Sequence, residues 1–277
     1  MLKTRIITAL VLLAVLLPAL FLNYFPVFAA VLAVFFAAAV WESFRLFGNK
    51  RPLLVAAFWT AAFAYTFLHA GGHSAAKFWL ALSLLVWLLR FAPTLKFGLP
   101  PLDGMGNVML SLIYAVTLVG CFVAILTLYL HSPTYLLSAM ALVWIADIGA
   151  YFAGKAFGKR KLAPSISPGK SWEGAIGGWI AVLVLSALSI VLADSVPLLA
   201  DTFAVKLQAS MGWFKALAVL TVIVIASVVG DLFESQLKRR AGMKDSSTLL
   251  PGHGGVLDRI DALVPALPVA ALVSAWL

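Results

Sequence analysis

The stretch VMLSLIYAVTLVGCFVAILTLYL, residues 108–130, carries no charged side chain along its whole length. The hydrocarbon core of a bilayer is about 30 Å thick, and about 20 helical residues cross it. Within lipid every backbone N–H and C=O must be bonded inside the structure, which leaves helices or a closed barrel. A barrel strand is about 10 residues of alternating polarity, and this run is longer and does not alternate. It reads as a membrane-spanning helix, and it sets how the rest of the chain is read.

Similar runs lie on both sides of it, giving nine apolar segments in all: about 6–22, 25–41, 53–69, 77–90, 108–130, 135–154, 174–194, 213–233 and 261–277. The expected fold is an all-α polytopic membrane protein, a bundle of about nine transmembrane helices. Pro18, Pro26, Pro93 and the pair Pro100–Pro101 fall at or near segment ends, where helices break. The 77–90 run is short for a span, and 91–107 is read as an interfacial stretch. Composition agrees with a membrane protein, since 63% of the 277 residues are hydrophobic and 11% charged, against about 25% charged in a soluble domain. No internal repeat or long linker divides the chain, so residues 1–277 are taken as a single integral membrane domain. Its two regions are 1–134 and 135–277, the second with polar loops at 155–174 and 235–261.

The N-terminus, with Lys3 and Arg5 ahead of an apolar run, has the outline of a signal peptide. It lacks a small-x-small cleavage site and is read as a retained first span. The one cysteine, Cys121, lies inside an apolar run, which excludes an intrachain disulfide and a cysteine metal site.

Basic residues set the orientation, because loops on the cytoplasmic side are enriched in Lys and Arg. With nine spans and a cytoplasmic N-terminus, only Lys77, Lys206 and Lys215 of the 20 basic residues lie on the far side. The same bias accounts for the net charge of +9 without a nucleic-acid partner. A basic face of this kind attracts lipid headgroups and nucleotide phosphates.

Acids number only eleven, so their positions are informative. Asp194 and Asp201 are read as solvated, and Glu42 and Asp103 as interfacial. Asp147 and Asp231 are embedded in apolar sequence, where a carboxylate costs about 2.5–3.5 kcal/mol or more unless paired, hydrated or metal-bound. Asp231 with Glu234, and Asp258 with Asp261, are spaced i,i+3, so each pair shares a helix face. Two such pairs would offer the oxygen ligands that Mg²⁺ prefers, with phosphate completing the shell. Between them, Lys238, Arg239, Arg240 and Lys244 are phosphate-type donors. The run Pro251-Gly252-His253-Gly254-Gly255 is expected to let backbone approach a ligand closely. A second polar stretch, KAFGKRKLAPSISPGKSWEG from Lys155 to Gly174, places Ser167 to Ser171 at a helix start. Backbone N–H groups and Lys170 could hold phosphate there, though the glycine spacing of a P-loop is absent. His69, His73 and His131 are read as packing or solvated at outer segment ends. His253 could move a proton or donate to phosphate, and with no second His or Cys nearby it makes a poor metal ligand.

The run SQLKRRAGMKDSSTLLPGHGGVLDRID, Ser235 to Asp261, resembles the signature of the phosphatidate cytidylyltransferases, or CDP-diacylglycerol synthases. The matching positions are Ser235, Lys238, Arg239, Lys244, Asp245, His253, Gly254, Gly255, Asp258, Arg259 and Asp261. The stretch Ser167–Gly174 resembles a second family element and Asp147–Tyr151–Gly154 a third, so the likeness lies in 135–277, which it marks as the catalytic region. It implies an enzyme that joins CTP to phosphatidic acid, releasing pyrophosphate, with magnesium or manganese and a second monovalent cation such as potassium. By that resemblance Asp231, Asp258 and Asp261 are the metal ligands, and Asp231, Asp258, Lys244 and His253 the catalytic set. Ser167, Lys170, Ser235, Lys238, Arg239 and Arg259 would hold phosphate, and Gly254 and Gly255 admit the ligand. Asp147, Glu173, Glu234 and Asp245 support them. A bacterial inner membrane, with the site at the cytoplasmic face, and a homodimer are compatible with the same resemblance. The alternatives are a cytidylyltransferase or kinase acting on another membrane lipid, and an ion-coupled transporter. A transporter would show internal symmetry and charges in mid-helix. A CDP-alcohol phosphotransferase is excluded because Asp103-Gly104 lacks the remaining residues of that motif.

Overall fold

A computed structural model describes residues 2–22, 24–69 and 75–276. His73 and the side chain of His69 lie outside the described residues. In chain order the helices are α1 (Leu2–Phe21), α2 (Phe25–Leu46), α3 (Pro52–Phe63), α4 (Ala76–Val86), α5 (Ala92–Phe97), α6 (Met105–His131) and α7 (Pro133–Phe157). Strands β1 (Lys161–Ala163) and β2 (Ser167–Ser171) follow, then α8 (Trp172–Leu192), α9 (Phe203–Arg240), α10 (Leu257–Ile260) and α11 (Leu263–Ser274). Each of the nine apolar segments contains a helix. Among the described residues seven helices are long and apolar enough to cross a membrane, and Pro52–Leu68 and Leu263–Ser274 are shorter apolar ones. The protein is an all-α polytopic membrane protein.

Two expectations change. Helix continues from Ala76 through Phe97, so 91–97 is not an interfacial loop and Pro93 does not end the segment. The reason is a π-helical turn, Trp87–Phe91. There Ala92 N–H bonds the carbonyl of Trp87, five residues back, and such a wide turn absorbs the bond that a nearby proline cannot make. Gly212, with φ 77° and ψ 170°, breaks α9 into two pieces, close to where the eighth apolar run begins.

The chain forms two compact units, Met1–Val123 with Gln236–Asp261, and Ala124–Ser235 with Ala262–Leu277. In the first, Phe36 stacks on Phe63 at 4.5 Å between ring centroids and meets Phe122 edge-on at 5.1 Å. Asn107 Nδ2 donates to the carbonyls of Phe47 at 2.7 Å and Leu102 at 2.8 Å, satisfying backbone groups that close the turns around it. Thr8 of α1 donates to the carbonyl of Pro251 at 2.8 Å.

In the second unit α7 and α8 cross closely. A Cβ added at Gly149 would lie 2.8 Å from that of Ala181, and one at Gly177 would collide with Ala153. Helices in lipid associate through small residues that let backbones approach. Leu at Gly177 must therefore push the two helices apart. Gly177→Leu is expected to lower stability by about 1–3 kcal/mol, the usual cost of overpacking, as a fall in Tm in detergent. β1 and β2 pair antiparallel, with Lys161 opposite Ser171, and Ser171 caps α8 by accepting from Gly174 N–H at 3.1 Å. The segment 167–171 is thus a strand leading into a cap. Ser171 Oγ thereby takes up the Gly174 amide at the start of α8.

Candidate active site

The candidate residues gather in two polar centres, one in each unit. In the unit containing Ala124–Ser235, a cavity of about 510 Å³ is lined by Asp147, Tyr151 and Lys155 from α7, Gly169 and Lys170 from β2, and Asp231 from α9. Apolar Leu162, Val224 and Val228 complete its wall. Lys170 Nζ pairs directly with Asp231 Oδ2, both side chains roughly a quarter exposed. β2 positions Lys170, because the hairpin holds its backbone while the side chain reaches to α9. Ser235 Oγ lies 3.5 Å from Asp231 Oδ1, the outer limit of a hydrogen bond. Glu173 anchors the hairpin at its other end. It accepts from the backbone N–H of Lys159 at 3.0 Å and of Arg160 at 3.1 Å, and pairs with the Arg160 guanidinium at 3.1 Å. Glu234 departs from the expected partnership with Asp231, being wholly buried while Asp231 faces the cavity. Residues at i,i+3 are about 60° apart around a helix, enough for one to face a cavity and the other protein.

In the unit containing Gln236–Asp261, Asp258 is the centre. Its side chain is 4% exposed and pairs through Oδ1 with Lys238 Nζ at 2.7 Å. Oδ2 accepts from Ser246 N–H and Ser246 Oγ, both at 2.8 Å, and from Gly255 N–H at 2.7 Å. Burial pushes the carboxyl up, and the Lys238 and Gly255 hydrogen bonds, the ammonium charge and the Ser246 hydroxyl outweigh it, so its pKa lies below the usual range. The carboxylate therefore stays ionised at neutral pH. The glycines of this segment also leave room within the protein. A Cβ on Gly254, whose φ is +83°, would sit 2.7 Å from Asp258 Oδ2, and one on Gly255 would collide with Ser246 and Glu42. They admit the protein's own carboxylates. Arg259 donates twice to the carbonyl of His253, at 3.0 and 2.7 Å, which locks the turn. His253 Nδ1 is buried without a hydrogen-bond partner among the described residues. Arg239, Lys244 and Asp245 are exposed.

Glu42 is the residue that sequence reasoning missed. It is wholly buried within the protein, and it accepts from Ser247 Oγ at 2.5 Å, Leu257 N–H at 2.6 Å and Val256 N–H at 3.0 Å, with Ser246 Oγ 3.3 Å away. Its signal was present: a lone carboxylate closing an apolar run, in a chain with few acids. Asp201 is partly exposed, as expected of a solvated acid, and is also held by Ser132, by His131 at 3.4 Å and by Lys206 at 3.7 Å.

Among the described residues no three of His, Cys, Asp and Glu gather into a metal cage. Mg²⁺ does not require one, because it is usually held by one or two carboxylates plus substrate phosphates and water. Asp231 and Asp147, sharing one cavity with room for phosphate, fit that habit. Asp258 keeps one lone-pair direction on Oδ1, the oxygen that Lys238 contacts.

The fold is thus a helical membrane protein with lysine–carboxylate pairs, one of them at a cavity. The chain belongs to the cytidylyltransferase family, whose model matches residues 3–277. It is 40% identical over 296 residues to a phosphatidate cytidylyltransferase of Haemophilus influenzae, covering 97% of this chain and 96% of that protein. A protein of the same name from Pseudomonas aeruginosa is 41% identical over 281 residues, covering 98% and 96%. One from Bacillus subtilis is 35% identical over 204 residues, covering 74% and 70%.

Proposed function

We propose that this protein transfers the cytidylyl group of CTP to phosphatidic acid, giving CDP-diacylglycerol and pyrophosphate in phospholipid biosynthesis. The observation that carries the reading is the Lys170–Asp231 pair at a cavity shared with Asp147 and Lys155; the name of the relatives supplies the two substrates. An oxygen of the lipid phosphate monoester attacks the α-phosphorus of CTP. The new P–O bond forms as the bond to the bridging oxygen breaks, and pyrophosphate leaves with the electron pair. The second pKa of a phosphate monoester is about 6, so the nucleophile is largely a dianion at neutral pH and no side chain has to remove a proton.

The barrier is then mainly repulsion between two anions, and positioned charge lowers it. Lys170 and Lys155 offer cations at the cavity, and Lys238, Arg239, Lys244 and Arg259 add them on the signature segment. A magnesium ion held by Asp231, with Asp147 at the same cavity, would supply further neutralisation of the triphosphate. Exposed Ile148, Tyr151 and Phe152 on α7 suit a lipid whose acyl chains stay in the bilayer. The excess of basic residues on one side supports a site at the cytoplasmic face of a bacterial inner membrane.

The test is purified protein in detergent with labelled CTP, phosphatidic acid and Mg²⁺. Labelled CDP-diacylglycerol is expected to accumulate, to stop on chelation, and to return with Mg²⁺ or Mn²⁺. Asp231→Asn is expected to lose about 10²–10³ in kcat, the scale of one lost charge-stabilising group. Folded wild type that makes no liponucleotide overturns the reading, and product formed from an isoprenoid phosphate instead redirects it to another lipid.

A further inference from the structure

Helix α10, which carries Asp258, begins without a cap of its own: its N-cap residue is Val256, and no side chain there accepts a hydrogen bond. The amides at its start, of Val256 and Leu257, are instead taken by Glu42 of α2. The same carboxylate holds Ser247, and Ser246, next to it, donates to Asp258 through both N–H and Oγ. One hydroxyl proton cannot serve two carboxylates at once. At 2.8 Å from Asp258 and 3.3 Å from Glu42, the Ser246 proton goes to Asp258. Glu42 therefore reaches Asp258 by other routes, through Leu257 on one side and through Ser247 on the other. Glu42, Ser246 and Ser247 are all buried, the first two with no exposed surface, and a Cβ at Gly255 would strike both Glu42 and Ser246. Nothing here is loose enough for Asp258 to move independently.

We infer that Glu42 is a positioning residue for the transfer reaction. From α2 it caps the helix that bears Asp258, and so fixes the carboxylate's oxygens against Lys238. The inference rests on the assignment of Asp258 to the reaction. A Gln at position 42 keeps the shape, but its NH₂ faces groups that are all donors, so at least one oxygen's share of the three bonds from Ser247, Val256 and Leu257 is lost. An Asp keeps the charge and the acceptors on a shorter stem.

The experiment compares kcat and KM for both substrates in wild type, Glu42→Gln, Glu42→Asp, Ser247→Ala and Asp258→Asn. Each is assayed well below its own Tm and normalised to folded protein. Glu42→Gln is expected to lose about 10–100-fold in kcat, the scale of a mutated supporting group, with KM for CTP nearly unchanged. Glu42→Asp is expected to recover part of that loss. Ser247→Ala removes one donor without touching Asp258, and is expected to lower kcat about 2- to 10-fold, as for one hydrogen bond. A purely structural role would lower Tm and leave kcat per folded molecule at the wild-type value. That result in Glu42→Gln overturns the inference. If Glu42→Gln does not fold, wild-type kcat in Ser247→Ala overturns it. Wild-type kcat in Asp258→Asn overturns the underlying assignment of Asp258 instead.

Discussion

Asp258→Ala is expected to reduce turnover by about 10³-fold and to destabilise the protein at the same time. The two effects share a cause. The side chain is 4% exposed and receives four hydrogen bonds, from Lys238, Gly255 and twice from Ser246. Removing it takes one acceptor away from the Lys238 ammonium, from two amides and from a hydroxyl in a nearly dry place. Breaking one partner out of a buried ion pair costs about 3–5 kcal/mol, because the remaining charge is uncompensated. Asp258→Asn separates the contributions, since it keeps the volume and one acceptor while removing the charge. The pH dependence gives a second check. The folded pKa is depressed below the unfolded value of about 3.9, so the folded state is favoured by ionisation. That contribution is complete at neutral pH and is lost as pH falls through the carboxylate range toward the folded value. The difference in Tm between wild type and Asp258→Asn should therefore shrink as the buffer is acidified below about pH 4. A difference that grows on acidification would contradict the arrangement around Asp258.

Gly255→Ala is the second large effect, and it comes from a single methyl group. The added Cβ would overlap Ser246 Oγ and Glu42 Oε1, neither of which has space to retreat, since both residues are 0% exposed. Overpacking alone costs about 1–3 kcal/mol. Here it also pushes Glu42 off Val256 and Leu257, so the cap on α10 goes with it. Gly255→Ala is expected to lower Tm by several degrees, about 2–4 °C per kcal/mol for a chain of this size, and to remove most activity. Gly104→Ala is the control, because its nearest neighbour is an ordinary contact at 3.9 Å from the Pro101 carbonyl, and it should behave as wild type. Equal behaviour of the two variants would show that residue 255 is not packed as described.

The sequence was informative where one physical requirement dominates. An uncharged run of twenty or more residues has few options in lipid, and helices occur at all nine apolar segments. It was less informative where a local rule is satisfied by something nearby. Pro93 looked like a stop, but the adjacent π turn takes up its missing bond. Residues 155–174 looked like a polar loop, but pairing of Lys161–Ala163 with Ser167–Ser171 draws part of them into strands. The pairing of Lys170 with Asp231, and of Lys238 with Asp258, links residues that sequence analysis had already singled out, though not with these partners. Glu42 stood out only as a lone acid closing an apolar run, and what it binds was out of reach. Its partners lie more than two hundred positions away, and no periodicity or spacing within α2 encodes them.

That separation has a consequence for how the protein comes to exist. Glu42 lies near the start of the chain, and the amides that satisfy it follow 214 and 215 residues later. At the usual pace of translation, about 5–20 residues per second, roughly 10–40 s pass between synthesis of the acid and synthesis of its cap. During that interval a carboxylate at the end of an apolar helix has no permanent partner, and full transfer into lipid would cost about 2.5–3.5 kcal/mol or more. The C-terminal end of α2 is thus held at water's edge while the later helices are made, a nascent intermediate that only the arrival of residues 246–257 can retire. A ribosome stalled before that point leaves a chain with most of its spans inserted and this one acid still waiting.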